Sequence, residues 1–263
     1  MPTHSFEKIR LEIDGAVATL TLDDEPVLNA IGPTMARGMK AALDKVEASP
    51  VRALILTGAG RAFCTGANLA EAGESGRPPT VRDTLEVGYH PMLRRLKSLP
   101  MPLVVAVNGA AAGVGMSFAL MGDIIMAARS AYFLQAFVRI GLMPDGGSTW
   151  LLPRLIGLAR ARELSILGEK LMPDKALEWG LINRVVVDAA LAMEARALAE
   201  RLAAGPTRAY ALMRRAYWAS LDNAYERQLD LEVELQSEAS RTEDFREGVA
   251  AFLEKRPAKF KGT

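Results

Sequence analysis

Residues 101–122 read MPLVVAVNGAAAGVGMSFALMG, and this stretch decides the fold. It contains no charged side chain and is long enough to cross a bilayer as one helix. It also contains Pro102 and four glycines, and the Asn108-Gly109 pair is a turn signal that divides it. The pattern therefore predicts a buried strand, a loop and a helix, and we expect no membrane partner.

The segments on either side repeat the same alternation of strands and helices. Leu103–Val107 and Asp123–Ala127 are short apolar runs typical of buried strands, and Arg52–Leu56 is a third. Between the amino terminus and that third strand, Pro33 opens a helical pattern that ends before Ser49-Pro50. Strands that alternate with helices indicate an α/β core.

The amino-terminal residues predict two paired strands. Phe6–Ile13 and Val17–Leu22 alternate apolar and polar side chains, and Asp14-Gly15 between them is typical of a hairpin turn. Residues 71–80 (EAGESGRPPT) are polar and rich in Gly and Pro, which predicts a mobile loop.

The sequence after Asp188 changes character. It holds only three of the 22 glycines and two of the 14 prolines, which predicts a helical tail. Two apolar stripes recur there at helical spacing: Leu191, Leu198 and Leu202, then Leu221, Tyr225, Leu229 and Val233.

Composition excludes several classes of function. The net charge of +1 over 263 residues leaves no basic excess, so we expect no nucleic-acid partner. One cysteine, Cys64, and two histidines, His4 and His90, are too few for a disulfide or a structural zinc site. Residues 1–14 lack the apolar run of a secretory signal, and we expect a cytoplasmic protein without a metal.

Three glycine turns follow predicted strands: residues 57–60 (TGAG), 65–68 (TGAN) and 113–115 (GVG). The first is not a dinucleotide fingerprint, because Phe63 stands where the third glycine is needed. An isolated turn of this kind is more often only a tight connection. Two such turns after buried strands can nevertheless aim backbone N–H groups at one point, as in an oxyanion hole for a thioester carbonyl.

Residues 115–119 (GMSFA) resemble a degraded nucleophile elbow around Ser117. Nine residues separate Val107 from Ser117, so the sharp strand-to-helix turn of that motif is missing. Neither His4 nor His90 lies in a segment that suggests a catalytic base. We expect Ser117 to be a small residue packed on a helix, and we keep a Ser117 hydrolase as an alternative.

The order and spacing of several short segments resemble the enoyl-CoA hydratase/isomerase (crotonase) superfamily along nearly the whole chain. These segments are Leu28-Asn29-Ala30 and residues 54–58, 61–69, 107–109, 122–124 and 141–149. The resemblance implies an α/β crotonase (ClpP-like) spiral of ββα units in residues 1–195, which bind an acyl-CoA thioester. It also implies a helical oligomerisation region in residues 196–263, a homotrimer or homohexamer, and no cofactor beyond the coenzyme A of the substrate.

The resemblance also implies the site residues. The oxyanion donors are the N–H groups of Ala67 and Val114. The residues expected to contact coenzyme A are Asn29, Ala30, Thr65, Gly66, Asn68, Leu69 and Gly113. Val114 replaces the usual glycine and Asn68 the common aspartate, but both changes leave main-chain donors in place.

The departures from the family pattern concern the proton-transfer groups. The two glutamates of family hydratases correspond here to Ser117 and Phe137, and neither side chain moves a proton at neutral pH. The remaining carboxylate is Asp145, at a position similar to that used by dienoyl-CoA and ring-epoxyphenylacetyl-CoA isomerases. Without that context, an Asp before Gly is usually a turn residue. Phe137 and Met143 are expected to form an apolar wall.

The implied activity is therefore an acyl-CoA isomerase, most similar to ring-1,2-epoxyphenylacetyl-CoA isomerase of phenylacetate degradation. The segments that carry this finer resemblance are residues 141–145, 149–154, 179–182 and 244–249. An enoyl-CoA hydratase with one carboxylate and a non-catalytic acyl-CoA-binding subunit remain alternatives.

Overall fold

A computed structural model describes residues 3–71 and 80–263 of the chain. The loop predicted for residues 71–80 therefore lies almost entirely outside the described residues. The strands are β1 (Thr3–Phe6), β2 (Ile9–Asp14), β3 (Val17–Leu22), β4 (Ala53–Gly58), β5 (Ala62–Cys64), β6 (Leu103–Val107), β7 (Ala110–Ala112), β8 (Ile124–Ala128), β9 (Tyr132–Leu134), β10 (Lys170–Leu171) and β11 (Arg184–Val186).

The strands form two sheets. The larger has the order β1-β2-β3-β4-β6-β8-β11, and the smaller has the order β10-β9-β7-β5. In the larger sheet β1, β2 and β3 are antiparallel, whereas β3 to β11 run parallel. All five residues of β6 are buried, as expected for a parallel strand that is covered on both faces.

Successive pairs of strands generate a spiral. Each of β4, β6 and β8 lies in the larger sheet and is followed directly by β5, β7 or β9 in the smaller sheet. In the smaller sheet β5, β7 and β9 are parallel neighbours. Their carboxyl ends therefore meet at one edge, where the loops that follow them lie side by side.

Helices surround the two sheets. The helices are α1 (Pro33–Glu47), α2 (Val81–Asp83), α3 (His90–Ser98), α4 (Val114–Ala119), α5 (Ser148–Ile156), α6 (Leu158–Leu167), α7 (Pro173–Glu178), α8 (Leu191–Ala203), α9 (Thr207–Ser220), α10 (Tyr225–Ala239) and α11 (Glu243–Leu253). A π-helical segment, Thr84–Tyr89, joins α2 to α3. No helix in the described ranges is long and apolar enough to cross a membrane.

The structure corrects two predicted elements. The strand predicted for Phe6–Ile13 is two strands, because Lys8 has a φ of 56° and turns the chain between β1 and β2. The glycine-rich loop after Val107 contains β7, a strand of the second sheet. Three alanines are too short and too uniform to display the alternation by which a strand is recognised.

The carboxy-terminal region begins inside the core. The boundary predicted at 195/196 falls within α8, which packs on β3, β4, β6 and β8. Leu191 and Leu198 of the first predicted stripe are buried there. The second stripe, on α10 and just before it, is mostly exposed, with Tyr225 at 74% and Val233 at 69%. A role in oligomerisation remains a prediction.

Candidate active site

Three loops converge at one edge of the smaller sheet. Gly66-Ala67 follows β5, Gly113-Val114 follows β7, and the segment that leads to Asp145 follows β9. Because these strands are parallel, their carboxyl ends lie together, which is where open α/β sheets bind ligands.

The loop that contains Ala67 pairs with Ile31 as in a parallel sheet, and the N–H group of Ala67 points away from Ile31. Ile31 N donates to Gly66 O at 2.7 Å, and Asn68 N donates to Ile31 O at 2.9 Å. In parallel pairing the residues flanking Ala67 bond to Ile31, so the N–H of Ala67 itself faces the opposite side. Ala67 is exposed, and its N–H is available to a ligand.

Two glycines bring this loop against the next one. Gly66 has a φ of 111° and Gly113 a φ of 53°, conformations that residues with a Cβ rarely adopt. A Cβ on Gly66 would lie 3.2 Å from Ala112 O, and a Cβ on Gly113 would lie 3.8 Å from Gly66 Cα. The two turns are therefore in contact, and a side chain at either glycine would strain the backbone because of its positive φ.

Val114 is the first residue of α4, and its N–H has no acceptor within the helix. Its side chain is buried and points toward Gly146, where a Cβ would lie 3.2 Å from Val114 Cγ2. Ala67 and Val114 thus present two main-chain donors from adjoining turns. This arrangement can hold an oxygen that gains negative charge.

Asp145 supplies a carboxylate beside these turns. It precedes Gly146 and Gly147, whose φ values of 60° and 85° turn the chain into α5. In the described part of the chain, Asp145 Oδ1 is buried and accepts no hydrogen bond. Burial raises the pKa of Asp145 to about 6, since the charged form loses water and gains no cationic partner. Asp145 is therefore ionised at neutral pH but is more basic than an ordinary carboxylate.

Two aromatic residues enclose the site. Burial and the charge of nearby Asp145 raise the pKa of Tyr89, which stays protonated. Phe137 is buried, and its Cζ lies 3.9 Å from the position of a Cβ on Gly113. Phe137 therefore presents an apolar ring to the Gly113 turn, whereas Met143 is 69% exposed, and their role as an apolar wall stays a prediction. Sequence reasoning missed Tyr89, because a buried Tyr in a helix looks like an ordinary core residue.

A cleft of about 530 Å³ lies next to the Asp145 turn. Gly146 and Gly147 line it, together with residues of α3, α5 and α9. The rings of Trp150 and Trp218 stack there with their centroids 5.6 Å apart, so α9 forms part of the cleft wall.

Ser117 is completely buried and bonds to neither histidine. Its Oγ donates to Asp145 O at 3.0 Å and lies 2.7 Å from Ser148 Oγ. Neither partner can act as a general base, so the hydrolase alternative is wrong. Cys64 is fully buried, as expected for a small apolar residue.

Of the seven residues expected to contact coenzyme A, some lie at the turns or on the surface and others are buried. Gly66 and Gly113 lie at the junction of the turns, and Leu69 is 68% exposed. Asn29 is fully buried: its Oδ1 accepts from Asp24 N, and its Nδ2 donates to Ala59 O and Ala62 O. Its side chain holds the loop together, its N–H donates to Asp24 O, and no part of Asn29 is exposed to a ligand in this structure.

The other three expected contacts lie close by. Ala30 is buried, Thr65 Oγ1 donates to Leu28 O at 3.2 Å, and Asn68 Nδ2 donates to Glu71 Oε2 at 3.2 Å. The last two side chains bond within the protein and stabilise the Ala67 turn.

Comparison with known proteins agrees with this geometry. The sequence matches the enoyl-CoA hydratase/isomerase family over residues 12–263. A protein of Rhodobacter capsulatus described as a probable enoyl-CoA hydratase is 45% identical over 258 residues, which cover 98% of this chain and 99% of the relative. The 1,2-epoxyphenylacetyl-CoA isomerase of Escherichia coli is also 45% identical, over 260 residues, with the same coverage.

A crystal structure of an enoyl-CoA hydratase subunit I from Geobacillus kaustophilus superposes with a TM-score of 0.90 at 34% identity, covering 98% of this chain and 99% of that one. Fold, sequence and site geometry lead to the same conclusion. The chain is a crotonase-fold enzyme and belongs to the enoyl-CoA hydratase/isomerase family, which acts on acyl-CoA thioesters.

Proposed function

We propose that this enzyme is an acyl-CoA isomerase that uses Asp145 as its single proton carrier. The observation that carries the proposal is the environment of Asp145, a half-buried carboxylate without a partner on Oδ1. Burial raises the pKa of Asp145 to about 6, which makes it a stronger base than an ordinary carboxylate.

The two main-chain donors and the carboxylate divide the chemistry between them. The N–H groups of Ala67 and Val114 donate hydrogen bonds to the thioester oxygen and stabilise an enolate. Asp145 removes a proton from the carbon next to the carbonyl, or from its vinylogue, and the electron pair moves into the thioester. The protonated Asp145 then returns that proton to another carbon, so the double bond shifts and the mass of the substrate is unchanged.

With a ring-epoxide substrate, Asp145 removes the proton next to the thioester, the electron pair of the enolate breaks the epoxide C–O bond, and the released oxygen takes the proton from Asp145. The mass is again unchanged, and the Escherichia coli relative is named as an isomerase of such an epoxide. No cofactor beyond coenzyme A takes part in either version.

Hydration is less well supported. Adding water across a double bond needs groups that hold the water and move its protons. The two positions that carry glutamates in family hydratases are the buried Ser117 and Phe137 here, and Phe137 faces the oxyanion turn with an apolar ring.

The names of the relatives do not decide between the activities, because a hydratase and an isomerase are equally similar to this chain. Incubation with a panel of enoyl-CoA and ring-epoxide CoA thioesters, followed by mass spectrometry and absorbance, separates them. An unchanged mass with changed absorbance supports the isomerase. A gain of water indicates a hydratase, and no reaction with any substrate indicates a binding subunit.

We also infer that residues 196–263 form a subunit interface in a homotrimer or homohexamer. Support comes from apolar side chains left exposed on the carboxy-terminal helices: Tyr217 (74%), Tyr225 (74%), Val233 (69%), Phe252 (82%) and Leu253 (73%). Light scattering should find an oligomer, and replacing both Phe252 and Leu253 by Glu should weaken it. A fully active monomer at micromolar concentration would contradict this inference.

A further inference from the structure

Three buried polar side chains form a hydrogen-bonded network next to the Asp145 turn. Gln135 Nε2 donates to Ser148 Oγ at 3.3 Å, Ser148 Oγ lies 2.7 Å from Ser117 Oγ, and Ser117 Oγ donates to Asp145 O at 3.0 Å. All three side chains are completely buried. Burying a polar group is costly unless it is hydrogen-bonded, and a hydrogen-bonded buried network makes its surroundings rigid.

The carbonyl oxygen of Asp145 fixes the direction of every hydrogen bond in this network. The oxygen of Asp145 can only accept, so the single hydroxyl proton of Ser117 points at it. Ser117 then accepts from Ser148, and Ser148 accepts from the amide N–H of Gln135. The network therefore ends at the main-chain oxygen of Asp145, which also accepts a hydrogen bond from Ser148 N at 3.1 Å.

The same helix carries one of the proposed oxyanion donors and the serine that contacts the Asp145 turn. Val114, with an oxyanion N–H, is the first residue of α4, and Ser117 lies one turn later. Ser117 also packs against the backbone that follows Asp145, because a Cβ on Gly146 would lie 2.8 Å from Ser117 Cβ. The distance between the oxyanion donors and the carboxylate thus depends on the contact of Ser117 with the turn.

We propose that Ser117, oriented by Ser148 and Gln135, is a positioning residue that holds Asp145 at a fixed distance from the Val114 N–H. This inference rests on the proposed function, because it assigns Ser117 an effect only through Asp145. It gives a catalytic purpose to a serine at a position where family hydratases carry a glutamate.

The test compares Ser117→Ala with a matched control. Thr57 Oγ1 donates to Ala106 O at 2.8 Å, also a hydroxyl on a main-chain carbonyl but away from the turn. In Ser117→Ala, kcat for isomerisation should fall about 10- to 100-fold, because displacement of a reacting group by about 1 Å costs about that much. KM should stay within about twofold. Ser148→Ala should show a smaller loss, and Thr57→Val should keep the wild-type kcat.

A double variant separates positioning from general damage. In the Asp145→Asn background, Ser117→Ala should cause no further loss, because the group that it positions is already gone. If the two losses multiply, or if Ser117→Ala keeps the wild-type kcat, the proposal is wrong. Should Ser117→Ala fail to fold, the same cycle with Ser148→Ala decides. A wild-type enzyme without isomerase activity would instead overturn the proposed function, and the inference with it.

Discussion

The candidate site has two halves that differ in the part of the chain that does the chemistry. In one half, the turns at Gly66-Ala67 and Gly113-Val114 present main-chain N–H groups. In the other half, Asp145 presents a side chain, and the side chain of Ser117 donates to the main-chain carbonyl of Asp145. The main-chain half depends on backbone geometry, and the side-chain half depends on residue identity.

This difference explains where the sequence can depart from the family pattern without loss of the fold. Val114 and Asn68 replace the usual residues in the main-chain half, yet both turns keep their donors and contacts. In the side-chain half, Ser117 and Phe137 stand at the glutamate positions, and in the proposed mechanism this favours isomerisation over hydration. In the proposed mechanism, the main-chain half binds the thioester oxygen and the side-chain half moves the proton.

The largest effect is expected for Asp145→Asn, which tests the side-chain half. The change keeps size and turn preference but removes the base, so binding of the thioester should persist while turnover falls about 10²- to 10⁴-fold. Steady-state kinetics and calorimetric titration measure the two quantities. A variant that isomerises at more than about a third of the wild-type rate would show that the proton travels by another group.

The main-chain half is tested by two changes at Val114. Val114→Pro deletes the N–H donor and should lower kcat about 10²- to 10³-fold, whereas Val114→Gly keeps the donor and should stay within about tenfold of wild type. Circular dichroism checks that the proline variant is folded. Wild-type activity in a folded Val114→Pro enzyme would remove this donor from the mechanism.

A smaller effect is expected from pH. Because the proposed base has a pKa of about 6, kcat/KM should rise about tenfold per pH unit below that value and level off above it. In Asp145→Asn, the residual kcat/KM should not show this rise with pH. A wild-type profile that is flat from about pH 5 to about pH 8 would contradict a carboxylate base with this pKa.

The smallest expected effect is on stability. The pKa of Asp145 is higher in the folded protein than its ordinary value of 3.8, so the charged form destabilises the fold above pH 6 and the penalty fades as the pH falls. Asp145→Asn should raise Tm at neutral pH by up to about 3 °C, reduced by solvent screening of the half-exposed group. The gain should shrink as the pH is lowered toward about 5, and an unchanged difference would argue against a buried charge.

The sequence predicts the part of the fold that long patterns encode. Leu103–Val107 is a strand with the predicted bounds, α1 begins at Pro33, and Asp14-Gly15 turns a hairpin. The second sheet is missed, because the strand at 110–112 is too short to display a period. These failures concern short elements whose structure depends on partners distant in the chain.

The site is predicted unevenly for a related reason. Asp145 and the two glycine turns are identified by resemblance, since their spacing along the chain is retained. Gln135 and Ser148 give no signal, because only the folded chain brings them within hydrogen-bonding distance of Ser117. Asn29 is expected near the ligand, but its side chain is hydrogen-bonded to the main chain of Asp24, Ala59 and Ala62.

The central claim is that a single carboxylate moves a proton within the substrate and that no water is added. It is tested most directly by incubating the wild-type enzyme with its CoA thioester substrate in water labelled with heavy oxygen and analysing the product by mass spectrometry. The account predicts a rearranged product with the oxygen content of the substrate and no label. Incorporation of labelled oxygen into the acyl group, abolished by Asp145→Asn, would show that this enzyme is a hydratase.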